Sequence, residues 1–176
     1  MSQVRVHYVS QSGRERLQAA LSAAIEAHQE ICRQRQLAFE LSGDGWHDNP
    51  HFNHLQQLEA NSTHRIADLR NVLARTQIVE VADGQRPIDR ARLGSIAHIE
   101  VADRATGQIT TRVIEIVGFQ EGNAAGGRVS YDAPLAKALL GRRAGDVVET
   151  TLPSGRVEIV LVELFESEDD AQSIGR

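Results

Sequence analysis

The feature that most constrains the fold is a pair of helical apolar seams in the first half of the chain. Between about residues 11 and 77 the sequence is rich in Ala, Leu, Gln, Glu and Arg, which are strong helix formers. Seam positions recur there at alternating gaps of four and three, a spacing that keeps them on one side of a helix, as in coiled coils. Each seam therefore predicts one long helix with a single packing face. The two seams comprise Leu17, Leu21, Ala24, His28, Ile31, Arg35 and Ala38, and then Phe52, Leu55, Glu59, Ser62, Ile66, Leu69, Leu73 and Thr76.

The segment SGDGWHDNPHFNH, residues 42–54, separates the two seams. Gly43 stands where a left-handed residue would end the first helix, and Asn49 followed by proline is a typical start for the second. Helices of roughly 28 residues would each be about 40 Å long. Because the connection is short, we expect an antiparallel coiled-coil arm over residues 11–80, with a tip loop at residues 43–49. The polar residues within the seams predict a marginal middle for this arm.

The second half of the chain has the composition of a β-rich domain, expected over residues 86–166. Gly, Val, Ile and Thr dominate in short runs that are separated by turn residues, which is typical of strands. The tail from residue 167 to residue 176 is acidic and has no evident apolar anchor, so we expect it to be frayed. The expected elements of the domain are a hairpin from runs 95–101 and 111–117, a short helix within 133–141, and a hairpin from runs 146–152 and 156–165.

Bulk composition limits the classes of function. A net charge of -5 argues against binding by general attraction to phosphate, and a single cysteine, Cys32, excludes an internal disulfide framework or a cysteine-based zinc site. The hydrophobic fraction of 41% supports a core, and the aromatic fraction of 4% makes that core aliphatic. No signal peptide or membrane-spanning apolar run is evident. We therefore expect a cytoplasmic protein with no membrane partner.

The segment APLAKALLGRRAGDVVETTLPSGRVEIVLVEL, residues 133–164, resembles the C-terminal domain of the Gre family of bacterial transcript-cleavage factors, GreA and GreB. Its most specific part is PLAKALLGRRAGD, and residues 92–95 resemble the beginning of that domain. The helical arm with Gly43 and Asp44 at its tip completes a resemblance that covers residues 12–165. It implies an α+β architecture, with an N-terminal antiparallel coiled-coil hairpin and a C-terminal FKBP-like β-rich domain carrying a short helix.

The resemblance also implies a function as a transcription elongation factor. In Gre proteins the C-terminal domain docks at the rim of the RNA polymerase secondary channel, and the coiled coil reaches towards the active centre and the 3′ end of the nascent RNA. Acidic tip residues help to hold a second Mg²⁺, and the polymerase itself cleaves the backtracked transcript. The implied protein is therefore a monomer and not an enzyme. It binds no cofactor tightly and shares Mg²⁺ with the polymerase active centre.

The family tip reads Gly-Asp, two variable residues, then Glu-Asn, with an aromatic residue two positions later. Gly43 and Asp44 match its opening, Asn49 matches the asparagine, and Phe52 stands near the aromatic position with one extra intervening residue. Asp48 stands in the place of the glutamate, four residues after Asp44 instead of three. The resemblance thus assigns Asp44 and Asp48 to catalytic assistance and to Mg²⁺, in complex with polymerase only. Two alternatives stay open: the two aspartates are solvated turn residues, or the protein is a Gre-like modulator or inhibitor without cleavage activity.

Four residues are candidates for contact with polymerase. Trp46 is the only tryptophan, and it stands in a loop far from any core, where an exposed apolar ring suggests a partner. By resemblance, Asp132, Pro134 and Leu135 would meet the polymerase rim. The alternative for Pro134 and Leu135 is burial in the core of the small domain.

Basic and histidine residues near the tip suggest two further interpretations. Some Gre proteins meet the extruded RNA through a basic patch near the tip, and Arg33 and Arg35 are the nearest candidates here; the alternative is a solvated helix face. His47, His51 and His54 are spaced by four and three, which would place them on one face if the helix began early. A histidine-tipped metal-binding module is therefore a distant alternative function.

Overall fold

The computed structural model describes residues 6–43 and 48–173, which fold as two compact units. Of the described residues, 6 and 14–76 belong to the first unit, and 7–13 and 77–173 belong to the second. In chain order the elements are β1 (His7–Val9), α1 (Gln11–Ser42), α2 (Pro50–Leu73), β2 (Thr76–Ile78), β3 (Ile96–Asp103), β4 (Ile109–Val117), β5 (Arg128–Ser130), α3 (Pro134–Leu139), β6 (Val147–Leu152), β7 (Gly155–Phe165) and α4 (Glu168–Gln172). None of the described helices is long and apolar enough to cross a membrane.

The first unit is an antiparallel hairpin of α1 and α2. The helices are antiparallel, because their contacts advance along α1 while they go back along α2, from His28 with Ser62 to Ala38 with Phe52. All fifteen predicted seam positions are buried or half-buried, which confirms the coiled-coil arrangement. The helices have unequal lengths of 32 and 24 residues, and the last seam position, Thr76, belongs to β2 and not to α2.

The middle of the seam is a layer of polar side chains. Nδ1 of His28 lies 2.8 Å from Oγ of Ser62, and Nε of Arg35 lies 2.6 Å from a carboxylate oxygen of Glu59. Sγ of Cys32 is 3.6 Å from the other Glu59 oxygen. Burial raises the pKa of the Cys32 thiol, and the neighbouring Glu59 carboxylate raises it further. Polar groups at these positions therefore face one another across the two helices.

The second unit is built on a five-stranded sheet in the order β5-β4-β3-β7-β6. Neighbouring strands are antiparallel except β4 and β5, which are parallel. The predicted hairpins β3–β4 and β6–β7 and the predicted helix α3 are all present. Helix α3 packs with the sheet over an aliphatic core, whose fully buried large residues include Ile99, Ile116, Leu139, Ile159 and Leu161.

Strand β1 was not predicted from the sequence. It pairs with β2 in a separate two-stranded sheet, and Val9 is fully buried. A carboxylate oxygen of Glu121 then accepts hydrogen bonds from the Ser10 backbone nitrogen, at 2.8 Å, and from the Ser10 hydroxyl, at 2.7 Å. Residues 7–13 therefore belong to the second unit, including the first residues of α1. A three-residue strand is too short for its alternation to be recognised in sequence.

The expectation of a frayed tail is wrong for residues 167–173. The Ser167 hydroxyl caps α4 by accepting a hydrogen bond from the Asp170 backbone nitrogen. Ala171 is buried and packs against Ile96 and Phe165. This apolar contact helps to dock the helix on the sheet. Residues 174–176 lie outside the described part of the chain.

Candidate functional site

The predicted tip loop lies between the last residue of α1 and the first residue of α2. Gly43 follows α1 with φ of 53°, the left-handed conformation expected of a residue that ends a helix. Asp44, Trp46 and His47 lie outside the described residues, so the roles predicted for them stay predictions. Asp48 is described and exposed.

Asn49 caps α2 and also joins the two ends of the loop. Its Oδ1 accepts hydrogen bonds from the backbone nitrogens of His51, at 2.9 Å, and Phe52, at 3.3 Å. Its Nδ2 donates to Oγ of Ser42 at 2.5 Å, and that hydroxyl donates to the carbonyl oxygen of Ala38 at 2.6 Å. The predicted helix start at Asn49 and Pro50 is therefore confirmed. The contact with Ser42 was not predicted.

An apolar cluster lies behind the loop. Phe52, Leu55 and Ala38 are buried together, and the ring centroids of Phe39 and Phe52 are 6.1 Å apart. Phe52 stands near the aromatic position of the family tip, and its side chain is only 4% exposed. This aromatic residue therefore packs the two helices together at the tip and does not face solvent.

Asp48 presents an exposed carboxylate directly before the cap of α2. It makes no hydrogen bond or ion pair with any described residue. Carboxylate oxygens are the ligands that Mg²⁺ prefers, and this ion commonly takes only one or two of them from protein. Within residues 6–43 and 48–173, no group of three or more His, Cys, Asp or Glu side chains could hold a metal ion. The role of Asp48 in binding Mg²⁺ thus stays a prediction.

Two of the three histidines near the tip lie on α2, and His47 is outside the described residues. Helix α2 begins at Pro50, so His47 precedes the helix that carries His51 and His54. Both of the latter side chains are exposed. A face of three imidazoles would require a helix that begins earlier than this one does.

The two arginines proposed for RNA contact differ in their surroundings. The Arg33 side chain is 72% exposed and pairs with Glu30. A hydrogen bond from Gln34 and the charge of Arg33 lower the pKa of Glu30. Arg35 belongs to the polar layer of the seam, where it pairs with Glu59. Arg33 is therefore the better placed of the two for contact with a ligand in solution.

The residues predicted for docking at the polymerase rim also differ in their exposure and contacts. Pro134 is exposed and is the first residue of α3, whereas Leu135 is half-buried and packs against the core of the second unit. Oδ1 of Asp132 lies 2.6 Å from the hydroxyl of Ser130, which is itself 2.9 Å from the Gly118 carbonyl oxygen. Leu135 therefore contributes to the core, as the alternative predicted, and the docking role of Pro134 stays a prediction.

Tyr8 is a surface residue beside this region that sequence reasoning missed. Its side chain is 39% exposed, and its ring meets the ring of Tyr131 edge-on with centroids 5.9 Å apart. Tyr131 immediately precedes Asp132. These are the chain's two tyrosines, and tyrosine is enriched in protein interfaces. Because the chain has few aromatic residues, either tyrosine could have been taken as a candidate interface residue. No local sequence pattern indicated that the two rings would be in contact.

Comparisons with known proteins agree on one family. Residues 87–164 match the family model described as "Transcription elongation factor, GreA/GreB, C-term". The chain is 29% identical to transcription elongation factor GreA of Roseiflexus sp. (strain RS-1), over 89% of this chain and 96% of that protein. It is 30% identical to transcription elongation factor GreA of Bartonella tribocorum (strain CIP 105476 / IBS 506), over 66% of this chain and 71% of that protein.

Among solved structures, the chain is similar to GreA factor homolog 1 (Gfh1) of Thermus thermophilus. The sequence identity is 29%, the alignment covers 92% of this chain and 99% of that chain, and the TM-score is 0.41. For Gfh1 of Thermus aquaticus the identity is 30%, the coverage is 91% and 98%, and the TM-score is 0.41.

Proposed function

The chain belongs to the GreA/GreB family of transcription elongation factors, and we propose that it binds RNA polymerase at the secondary channel and stimulates cleavage of backtracked transcripts. The observation that carries this proposal is the acidic loop at the turn of an antiparallel helical hairpin. There Asp48 is exposed immediately before the Asn49 cap, and Asp44 follows the left-handed Gly43 in sequence.

The arm is suited to delivering these carboxylates. A helix of 32 residues is about 48 Å long at 1.5 Å per residue, and the matched seam gives the hairpin the stiffness of a coiled coil. The buried cluster of Ala38, Phe52 and Leu55 stabilises the end of the hairpin next to the loop. The acidic residues are thus carried at the end of an ordered support.

The chemistry would belong to the polymerase and not to this protein. A second Mg²⁺ would supply stabilisation of charge on the attacking and leaving oxygens. Asp48 and Asp44 would act as oxygen ligands for that ion and would be useful only next to the metal site of the polymerase. Asp48 has no competing partner among the described residues, which leaves its carboxylate available. Arg33 would contact the extruded RNA from the side of the arm.

Cleavage of RNA in stalled, backtracked polymerase tests the proposal. We expect Asp44→Asn to abolish stimulation while polymerase affinity changes little, because the substitution keeps size and polarity but removes the charge that attracts Mg²⁺. Asp48→Asn should reduce stimulation as much as Asp44→Asn only if the extra loop residue bulges out and restores the family spacing of the two carboxylates. Asp68→Asn, on the exposed surface of α2, is the matched control and should behave as wild type.

Trp46 should affect binding more than chemistry. As an apolar contact to the channel wall, its loss in Trp46→Ala should weaken polymerase binding, and cleavage at saturating protein should remain close to wild type. A large loss of cleavage at saturation would contradict this role.

A second candidate function is a secondary-channel modulator or inhibitor without cleavage activity. The observation that favours it is the spacing of Asp44 and Asp48, which are four residues apart instead of three, together with an aspartate in place of the longer glutamate. In this case wild type and Asp44→Asn would both slow nucleotide addition, and neither would shorten backtracked RNA. A histidine-tipped metal-binding module would instead require zinc binding by the isolated protein that is lost in His51→Ala.

A further inference from the structure

The two ends of the tip loop are joined by a hydrogen bond that the helices themselves do not require. A side-chain oxygen at the cap position is enough to start α2, and Asn49 uses only Oδ1 for that purpose. Its amide nitrogen is directed across the loop to the hydroxyl of Ser42, 2.5 Å away. Ser42 lies at the last position of α1, seven residues earlier in the chain.

Each group in this connection has a partner. The Ser42 hydroxyl accepts from Asn49 and donates to the Ala38 carbonyl oxygen at 2.6 Å. The last turn of α1 is thereby linked through two hydrogen bonds to the first turn of α2. Ala38 and Phe52, on either side of this link, pack against one another in the buried cluster at the tip.

The link fixes the backbone next to one acidic residue of the loop, Asp48. Asp48 is the residue directly before Asn49, and Asp44 is two residues after Ser42. A loop with one residue more than the family pattern has more conformational freedom to lose when it is ordered. A bond between its ends removes part of that freedom before polymerase is met.

We propose that Ser42 and Asn49 are positioning residues that join the two ends of the tip loop and hold the Asp48 carboxylate for the polymerase metal site. This inference rests on the proposed function, since cleavage is the activity that an ordered loop would serve. Neither residue contacts the reacting atoms in this account. Both act through the loop that they close.

Two single substitutions remove the bond without removing the helix start. Ser42→Ala removes the hydroxyl at a site where alanine is the best helix former. Asn49→Ser keeps a good capping oxygen but is too short to reach Ser42. Ser42→Thr keeps the hydroxyl and should restore wild-type behaviour. Thr63→Ala is the matched control, because the Thr63 hydroxyl also bonds a carbonyl four residues earlier but joins no loop.

The first measurement uses the full-length protein alone. Trp46 is the only tryptophan and lies between the two positioning residues in sequence, so its time-resolved fluorescence anisotropy reports on the loop. We expect a larger amplitude of fast motion in Ser42→Ala and Asn49→Ser than in wild type, Ser42→Thr or Thr63→Ala. The amplitude of fast motion in the double variant should be no larger than in either single variant, because both substitutions remove the same bond. Unchanged anisotropy in both single variants would contradict the proposal that this bond restrains the tip loop.

The second measurement is cleavage of backtracked RNA at saturating protein. We expect Ser42→Ala and Asn49→Ser to slow cleavage about threefold to tenfold, the effect of one hydrogen bond, with little change in polymerase affinity. Altered anisotropy with wild-type cleavage would overturn the positioning role. If wild type itself stimulated no cleavage, the proposed function and the positioning role would fall together, and the anisotropy would still decide whether the bond closes the loop.

Discussion

Gly13 has no room for a side chain, because the Glu121 carboxylate occupies the place where its Cβ would lie. A Cβ built on Gly13 would be 1.7 Å from Oε1 of Glu121. Glu121 is only 5% exposed, and the same oxygen accepts both hydrogen bonds from Ser10. Its side chain cannot withdraw without breaking those bonds. The glycine at the third residue of α1 is thus required by a tertiary contact and not by the helix.

We predict that Gly13→Ala destabilises the second unit by about 0.5–2 kcal/mol net, because hydrogen bonds to a charged group contribute about 1.5–3 kcal/mol. The gain in helix propensity, at most about 1 kcal/mol, is too small to offset this loss. Gly126→Ala is the control, since its Cβ would meet its nearest neighbour at an ordinary 3.5 Å. Chemical denaturation would measure both variants. Equal stability of Gly13→Ala and wild type would show that Glu121 moves aside freely.

At the scale of elements, the arm combines apolar ends with a polar middle. The layer that contains His28, Cys32, Arg35 and Glu59 interrupts the aliphatic contacts of α1 with α2. Charged side chains that are partly removed from water are retained at a cost, and they favour one register of the helices because each needs its partner. Cys32 reports on this layer, since its thiol is next to the Glu59 carboxylate.

We predict that Cys32 reacts slowly with iodoacetamide at pH 8 because its pKa is raised above the ordinary value, first by burial and then by Glu59. Thiolate forms as the pH rises through that raised pKa, so Glu59→Gln should move the onset of reaction to lower pH. The rate at pH 8 should rise, since a lower pKa increases the fraction of thiolate at that pH. Glu30→Gln, which faces Arg33, is the control. An unchanged pH profile in Glu59→Gln would show that the Glu59 carboxylate does not raise the pKa of Cys32.

At the scale of the whole molecule, residues far apart in sequence meet within the second unit. Arg86 is 8% exposed and its guanidinium lies 3.2 Å from a carboxylate oxygen of Asp83, 2.9 Å from one of Glu115 and 3.0 Å from one of Glu168. These bonds attach the segment after β2 to the sheet and to the C-terminal helix. Residues 7–13 belong to the same unit. A fragment that begins near residue 87 would therefore lack both β1 and Arg86.

For this reason docking is better tested in the full-length chain. We predict that Pro134→Glu weakens polymerase binding about tenfold or more, as expected when an exposed apolar contact at an interface is replaced by a charge. Glutamate is tolerated in the first turn of a helix, so α3 should remain folded. Pro153→Glu, also exposed, is the control and should bind as wild type. Leu135→Glu should instead lower the melting temperature, because Leu135 packs on the core. Unchanged binding by Pro134→Glu would refute the docking assignment.

The sequence by itself determined the elements whose signals are local. The seams predicted α1 and α2, Asn49 with Pro50 predicted the start of α2, and alternation predicted the two hairpins, because propensity and periodicity act between neighbouring residues. The family was also evident, since PLAKALLGRRAGD is a continuous motif. The assignment of Asp44 and Asp48 came from that resemblance and stays a prediction.

Only the tertiary structure decided which distant residues meet. The contact of Ser10 with Glu121 spans 111 positions, and that of Arg86 with Glu168 spans 82. No local pattern encodes either pair. Arg35 and Glu59 were both seam positions in the sequence, but only the fold shows that they pair with one another. Ser42 was only the first residue of the segment between the two seams, and the fold brings its hydroxyl to Asn49. Such partners are selected by packing, because a buried or half-buried polar group must find its hydrogen bond wherever the folded chain supplies one.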